Sequence, residues 1–296
     1  MKMIIKWFFI LLAAIIGLAL VAIISLYFYT ESQFNQQYEI EKDEIGLIAE
    51  YSGESEGFDR LLIAFCQECH GSNMAGQVME EDPLIGIIVA PNLTSGEGGI
   101  GTYFTDEDYV RTIRHGLDVS NRSLIVMPSN YFAQLSDDDL SQIISYIKNL
   151  PPVDNVLPES RIGLLGRFFM LQDPSLLPAS VIDHSAERSS TPEKEVSAEY
   201  GEYLAVICAL CHGQDFSGGP EASSGLNLTP AGNLSNLTEE EFVTTIRTGV
   251  TPEGEVFDPV EMPYEQISLM SDDELRAIWL YLQSLPPIES QLVHPD

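Results

Sequence analysis

The segment Thr105-Asp-Glu-Asp-Tyr-Val-Arg-Thr-Ile-Arg-His-Gly116 recurs as Thr238-Glu-Glu-Glu-Phe-Val-Thr-Thr-Ile-Arg-Thr-Gly249. In both, a threonine precedes three acidic residues and a glycine follows the last helical position, which marks a helix start and a helix stop. The likeness extends outward on either side. Pro91-Asn-Leu-Thr94 recurs as Leu226-Asn-Leu-Thr229, and Met127-Pro128 recurs as Met262-Pro263. Ser136-Asp-Asp-Asp-Leu140 through Leu150-Pro-Pro152 recurs as Ser271-Asp-Asp-Glu-Leu275 through Leu285-Pro-Pro287. The last two blocks keep one offset, so the chain contains a duplicated domain.

Each copy reads as mostly helical. Ser136 and Ser271 are expected N-caps, with Asp139 and Glu274 completing capping boxes. Leu140, Ile143, Ile144, Ile147 and Leu150 then form a helical stripe, matched by Leu275, Ile278, Trp279, Leu282 and Leu285. A Pro-Pro pair stops both helices. An earlier helix is marked by Phe58, Leu61, Leu62 and Phe65 in one copy and by Tyr200, Leu204 and Ile207 in the other. The expected fold class is all-α, two tandem helical domains behind an N-terminal helix.

That first helix comes from Trp7 to Tyr29, a run without a charge that is dominated by Ile, Leu, Ala and Phe. It is long enough to span a bilayer core. Aromatic residues sit at both margins, where a membrane meets water. Lys2 and Lys6 precede the run and acidic residues follow it, so the amino terminus is expected in the cytoplasm and the rest outside it. Length and flanks favour an uncleaved anchor over a signal peptide. The expected order is anchor 1–30, juxtamembrane linker 31–50, first domain 51–153, linker 154–196, second domain 197–288 and tail 289–296. The linker matches neither copy. Its apolar stretch, Ile162 to Leu171, is expected to pack on a domain or on the membrane surface, and nothing in it implies chemistry.

The chain has 45 acidic and 14 basic residues and a formal net charge of −31. A phosphate backbone would be repelled by such a surface, which excludes nucleic acid as a partner. Two readings of the charge stand: steering toward a basic partner, or a solvated acidic surface that confers solubility.

The chemistry sits in Cys66-Gln-Glu-Cys69-His70 and Cys208-Ala-Leu-Cys211-His212. Cys-x-x-Cys-His is the attachment signature of c-type haem. Two thiols spaced by three residues lie along one porphyrin edge, and the adjacent imidazole reaches the iron. All four cysteines of the chain are used in this way. A zinc site would need two such pairs in one domain, and a thioredoxin-like pair would need a βαβ setting. The expected cofactors are two covalently bound haem c groups, with His70 and His212 as proximal ligands. Met127 and Met262 align, each precedes Pro, and each lies well downstream of its His, so they are the expected sixth ligands. His/Met ligation raises the reduction potential. Met270 aligns with Leu135 and reads as core, and Met74 is held on the proximal side. His115, aligned with Thr248, reads as exposed rather than as a ligand, while His184 and His294 fall in the linker and tail. Arg114 and Arg247 align at the end of the middle helix, where they could serve a haem propionate or the helix dipole. The Asn-Leu-Thr repeats match glycosylation sequons, but their place in the duplicated pattern implies a structural turn.

With these residues in place, each copy resembles a class I cytochrome c domain: a Cys-x-x-Cys-His after a first helix, a Pro-Asn-Leu-type turn and a Met-Pro loop. A last helix with an aromatic follows, Tyr146 or Tyr281, which in that family crosses the first helix. The resemblance covers residues 57–152 and 197–288. Gly99-Ile-Gly101, the Thr105–Gly116 block, Leu150-Pro-Pro152 and Tyr200-Gly-Glu-Tyr-Leu204 are similar to bacterial cytochrome c subunits of membrane-bound dehydrogenases. Such subunits take electrons from a catalytic partner and pass them to quinone or a terminal oxidase. The resemblance thus implies a membrane-anchored electron carrier outside the cytoplasmic membrane, with a dehydrogenase or terminal oxidase as redox partner and no catalytic residues of its own. This chain has two haem motifs where the alcohol and gluconate dehydrogenase subunits usually have three. Its second copy has Leu226 for Pro91 and lacks the Gly98–Gly101 loop. The rival reading is a dihaem enzyme, such as a cytochrome c peroxidase or a thiosulfate-oxidising enzyme. A peroxidase needs an iron with an open site and the other a distal Cys, whereas both copies offer a Met and no Cys is spare.

Overall fold

The uncharged N-terminal run lies within a single helix, α1 (Lys2–Phe34), that outlasts the expected anchor by one turn. Its apolar part has a mean hydropathy of 3.0 with no face buried in the protein, which is long and apolar enough to cross a membrane. The computed structural model describes residues 2–40, 56–188, 190–218 and 225–289. The expected domain start at residue 51, the juxtamembrane linker beyond residue 40, and the tail from 290 with His294 lie outside the described residues.

In the first copy, α2 (Gly57–His70) turns Phe58, Leu61, Leu62 and Ile63 inward. Strands β1 (Gln77–Asp82) and β2 (Gly86–Ala90) follow, then α3 (Asp106–His115), α4 (Ser129–Phe132) and α5 (Asp137–Lys148). Linker residues form β3 (Arg161–Ile162) and α6 (Leu164–Gln172). The second copy supplies α7 (Ala198–Leu204), α8 (Ala209–His212), α9 (Glu239–Thr248), α10 (Tyr264–Ile267) and α11 (Asp272–Ser284). The fold is mostly helical, as expected. The middle helices start at capping boxes on Thr105 and Thr238 and stop at left-handed Gly116 and Gly249. Where α2 is continuous, its counterpart is broken into α7, a 3-10 turn over Ala205–Ile207, and α8.

A small antiparallel sheet of order β1-β2-β3 is absent from the sequence reading. Asp82 Oδ1 closes its hairpin by accepting from the N–H groups of Leu84 and Ile85 at 2.7 and 2.9 Å. The linker then adds β3 to the exposed edge, pairing Ile87 with Arg161.

One apolar core runs through both copies and includes Leu61, Leu140 and Ile144 with Leu204, Leu275 and Ile278. Around it the two copies cap each other. Helix α2 has no side-chain cap of its own. Instead Glu274, from the start of α11, accepts from the Phe58 N–H at 3.0 Å while also accepting from Ser271 N within its own capping box. In the other direction Tyr203 of α7 inserts at the start of α5. Its hydroxyl accepts from Ser136 N at 3.0 Å and donates to Asp139. The expected Ser136 box is therefore half open: Ser136 Oγ still accepts from Asp139 N, but the Ser136 N–H bonds to the tyrosine instead of Asp139. A phenol from the other copy competes for both ends of the box, which a local pattern cannot reveal.

This arrangement crowds Asp59, Asp139 and Glu274 with Tyr200 and Tyr203. Burial and the neighbouring Asp139 push the Asp59 carboxyl up to about 6, opposed by Lys194. A hydrogen bond to Asp139 favours the neutral acid as donor. The folded value lies above the unfolded one, so this stability is complete below about pH 4 and is lost as pH rises through about 6. The displacement amounts to at most about 3 kcal/mol. Screening at a partly exposed site reduces it to about 1 kcal/mol. An Asp59→Asn variant is thus expected to be about 1 kcal/mol more stable than wild type at pH 7.5 and no more stable at pH 4. Urea denaturation at the two pH values checks this, and an equal gain at both would discard the carboxylate account.

Candidate functional site

Both Cys-x-x-Cys-His motifs end a helix, and the residue after each imidazole is a glycine at positive φ, Gly71 at 80° and Gly213 at 79°. The chain can therefore turn away directly behind the histidine. In the first copy His70 Nδ1 lies 2.9 Å from the Pro91 carbonyl, and in the second His212 Nδ1 lies 2.7 Å from the Leu226 carbonyl. A carbonyl only accepts, so Nδ1 carries the proton and Nε2 keeps its lone pair for a metal. Burial holds both imidazoles below the usual pKa, with the carbonyl contact acting against it. Because the partner is main chain, Leu226 serves as well as Pro91.

A second set of matched bonds fixes that carbonyl. Asn92 Oδ1 accepts from Thr94 N and Oγ1 at 2.9 and 2.8 Å, and its amide donates to Val153 O at 2.8 Å. Asn227, Thr229 and Ile288 repeat the pattern. Each Asn-Leu-Thr turn thus ties the segment that holds the imidazole to the chain beyond the Pro-Pro pair. Asn92 and Asn227 are buried, so the sequons are structural turns. Gly76 and Gly218 press on the same peptides: a Cβ at Gly218 would meet Leu226 C and Asn227 N at 2.8 Å.

The cysteines are half-buried, and none is in a disulfide. Burial and the neighbouring cysteine push Cys66 and Cys208 up to about 12, and burial also raises Cys69 and Cys211. Burial thus holds the four thiols toward their neutral form.

Met127 and Met262 occupy equivalent half-buried positions ahead of α4 and α10 and pack against the core. Their loops are held differently. Val126, a β-branched residue, adopts φ 69°, a strained conformation. Its N–H donates to Leu176 O of the linker at 2.8 Å. Ala179 N also donates to Ser123 Oγ at 3.2 Å, so the linker supports the loop that carries Met127. The sequence reading assigned the linker no part in the site, and only the fold brings Leu176 there. Met270 is a fully buried core residue, as read, and Met74, four residues after His70, is fully buried as well.

Arg114 donates to Leu135 O at 3.1 Å and Asp137 at 2.9 Å. Arg247 donates to the Ser268 carbonyl, two residues ahead of the match of Leu135, and to the matching Asp272 at 2.7 Å. Both guanidinium groups thereby clamp the middle helix to the start of the last one. His115, read as exposed, is buried: its Nδ1 lies 3.1 Å from Nδ1 of linker His184, which also packs edge-on against Tyr38. The linker covers it, and the repeat alignment with Thr248 gave no sign of that.

The two motifs also meet across the copies. Gln266, four residues after Met262, donates to Glu68 Oε1 inside the first Cys-x-x-Cys at 2.8 Å. Tyr131, four residues after Met127, hydrogen-bonds Gln214 and lies close to Cys211. Each methionine segment therefore touches the other copy's cysteine motif. In each copy the donor set is two neutral thiols, an imidazole fixed through Nδ1 and a half-buried thioether. That set fits a covalently held haem.

Residues 57–147 match the family model described as cytochrome C oxidase, cbb3-type, subunit III. The chain is 26% identical over 262 residues to an alcohol dehydrogenase (quinone) cytochrome c subunit of Gluconacetobacter polyoxogenes, covering 75% of this chain and 54% of that protein. Its similarity to the corresponding subunit of Gluconobacter oxydans is 32% over 117 residues, 34% of this chain and 24% of the relative. To the gluconate 2-dehydrogenase cytochrome c subunit of Pantoea cypripedii it is 30% over 95 residues, 27% and 21% of the two chains. The chain thus spans about half the length of the first of these relatives and a quarter or less of the other two.

Proposed function

We propose, from the premise that residues 57–147 form a cytochrome c domain that holds haem c covalently, that the whole chain is a membrane-anchored dihaem cytochrome. In this reading it carries electrons to or from a dehydrogenase on the extracytoplasmic side. The observation that carries it is the repeated imidazole geometry: a Cys-x-x-Cys-His whose Nδ1 faces a main-chain carbonyl at 2.9 Å in one copy and 2.7 Å in the other. Haem supplies a one-electron couple when bound. The chain does the rest. Cys66, Cys69, Cys208 and Cys211 attach it, His70 and His212 offer Nε2, and Met127 and Met262 offer a soft neutral donor that favours the reduced state. Arg114 and Arg247 enter as clamps on the last helix, the role their hydrogen bonds support. The Gln266–Glu68 and Tyr131–Gln214 contacts support a short path between the two groups. Similarity to dehydrogenase cytochrome subunits supports a dehydrogenase as partner. Helix α1 supports anchoring, with the haem domains on the side opposite Lys2 and Lys6.

Spectroelectrochemical titration of the full haem-loaded chain in nanodiscs, repeated with carbon monoxide and with peroxide, tests this. Two one-electron waves from low-spin haem, indifferent to both reagents, are expected. A haem-to-chain ratio of one would remove the second haem. A high-spin component that binds carbon monoxide or turns over peroxide would transfer the protein to the dihaem enzymes.

A further inference from the structure

Helix α6 is inverted with respect to an ordinary surface helix. Gly166, Arg167 and Met170 are buried, whereas Leu164, Leu165, Phe168, Phe169 and Leu171 are all exposed. A helix on a soluble surface turns charge outward. Here the sole charged residue, Arg167, points inward and is 8% exposed.

What Arg167 holds locates the face. It donates to Thr30 Oγ1 at 2.8 Å and to Glu31 Oε2 at 2.9 Å. Its guanidinium lies over the rings of Tyr27 and Phe34, 4.4 and 4.8 Å from their centroids. These are the residues of α1 where the uncharged run ends and polar chain begins, the level at which a spanning helix leaves hydrocarbon. Tyr27, Phe28 and Tyr29 are themselves exposed there. The hairpin tip joins the same patch. Leu84 is exposed, and its carbonyl accepts from Leu165 N at 3.0 Å. An exposed apolar patch of this extent marks a binding surface. Its continuity with the aromatic margin of α1 selects the occupant.

We infer that α6, with Leu84, is a second membrane contact: an interfacial helix whose Leu and Phe side chains enter the boundary between lipid headgroups and acyl chains beside α1. The inference rests on α1 spanning the bilayer. It assigns the linker the task of fixing how the first copy stands on the membrane, since β3 and the segment supporting Met127 flank α6 directly in the chain.

The test uses the full haem-loaded chain in phosphatidylcholine–phosphatidylglycerol nanodiscs doped with a lipid bearing a diazirine near the top of its acyl chain. Light-induced adducts are mapped by peptide mass spectrometry. Adducts on the peptide containing residues 164–172 as well as on α1 are expected. A Phe168→Glu/Phe169→Glu variant, its folding checked by an unchanged haem spectrum, is expected to lose the first and keep the second. Adducts on α1 alone would overturn the inference and leave the anchor standing. Unchanged labelling of the segment in the double variant would overturn it as well. Absence of adducts from both would remove the anchor and the inference together.

Discussion

A Met262→His variant is expected to retain its haem and to titrate a few tenths of a volt below the wild-type site, within the roughly 0.8 V that axial ligands span. A thioether is a weak neutral donor that favours ferrous iron, while an imidazole donates more strongly and favours ferric iron. One-electron potentials move by about 59 mV per tenfold change in the equilibrium. A shift of about 0.2 V would therefore correspond to more than a thousandfold. The loop can present the new side chain, because the main-chain bonds around it do not involve the thioether: Met262 N donates to Asp258 O and Tyr264 N to Met262 O. Met127→His is expected to act on the other wave, with Val126 still held by Leu176. Each variant should move one wave of the titration and leave the other near its place. If neither moves any wave, the methionines are not ligands.

The second large effect is structural. Gly201 of α7 is packed so closely on α11 that a Cβ there would overlap the Ala277 carbonyl and press on Tyr281. Backbone meets backbone at this crossing, where glycine and alanine leave no side chain between the helices. Gly201→Val is expected to cost about 3 kcal/mol or more, since the overlap is with main chain that cannot rotate away. The loss should appear as a lower urea midpoint and reduced haem content in the second copy. In the first copy the aligned residue is Asp59, which already carries a side chain, so Asp59→Ala is expected to be tolerated. Equal damage from both substitutions would show that the crossing is not what distinguishes them.

Local features of the fold were legible in the sequence, and features that need a distant partner were not. Thr105, Thr238 and Ser271 act as caps because box and helix lie within four residues of one another. Gly116 and Gly249 stop their helices for an equally local reason. The β1–β2 hairpin escaped notice because β1 ends in the acidic run Glu80-Glu81-Asp82, with no apolar alternation, and its edge partner, Arg161–Ile162, comes from a segment read as linker. At Ser136 the box was half displaced by a tyrosine from the other copy. The Cys-x-x-Cys-His motifs declared themselves by spacing, and the methionines by alignment within the repeat. The carbonyls behind His70 and His212 carry no side-chain signature, although the Asn-Leu-Thr turn that positions them was visible as a repeat.

The exchange of caps between the copies has a consequence for how such a chain can diverge. A duplicated domain ordinarily begins as two interchangeable modules, either of which could be replaced by a single-copy relative. Here the helix that delivers the first cysteine pair begins on a carboxylate from the second copy, and the last helix of the first copy begins on a phenol from the second. The start of α2 therefore depends on Glu274, and Tyr203 occupies half of the Ser136 box. Substituting a foreign module for either half would leave an open helix end or a stranded hydroxyl inside a common core. The two halves share their helix ends and are no longer interchangeable modules.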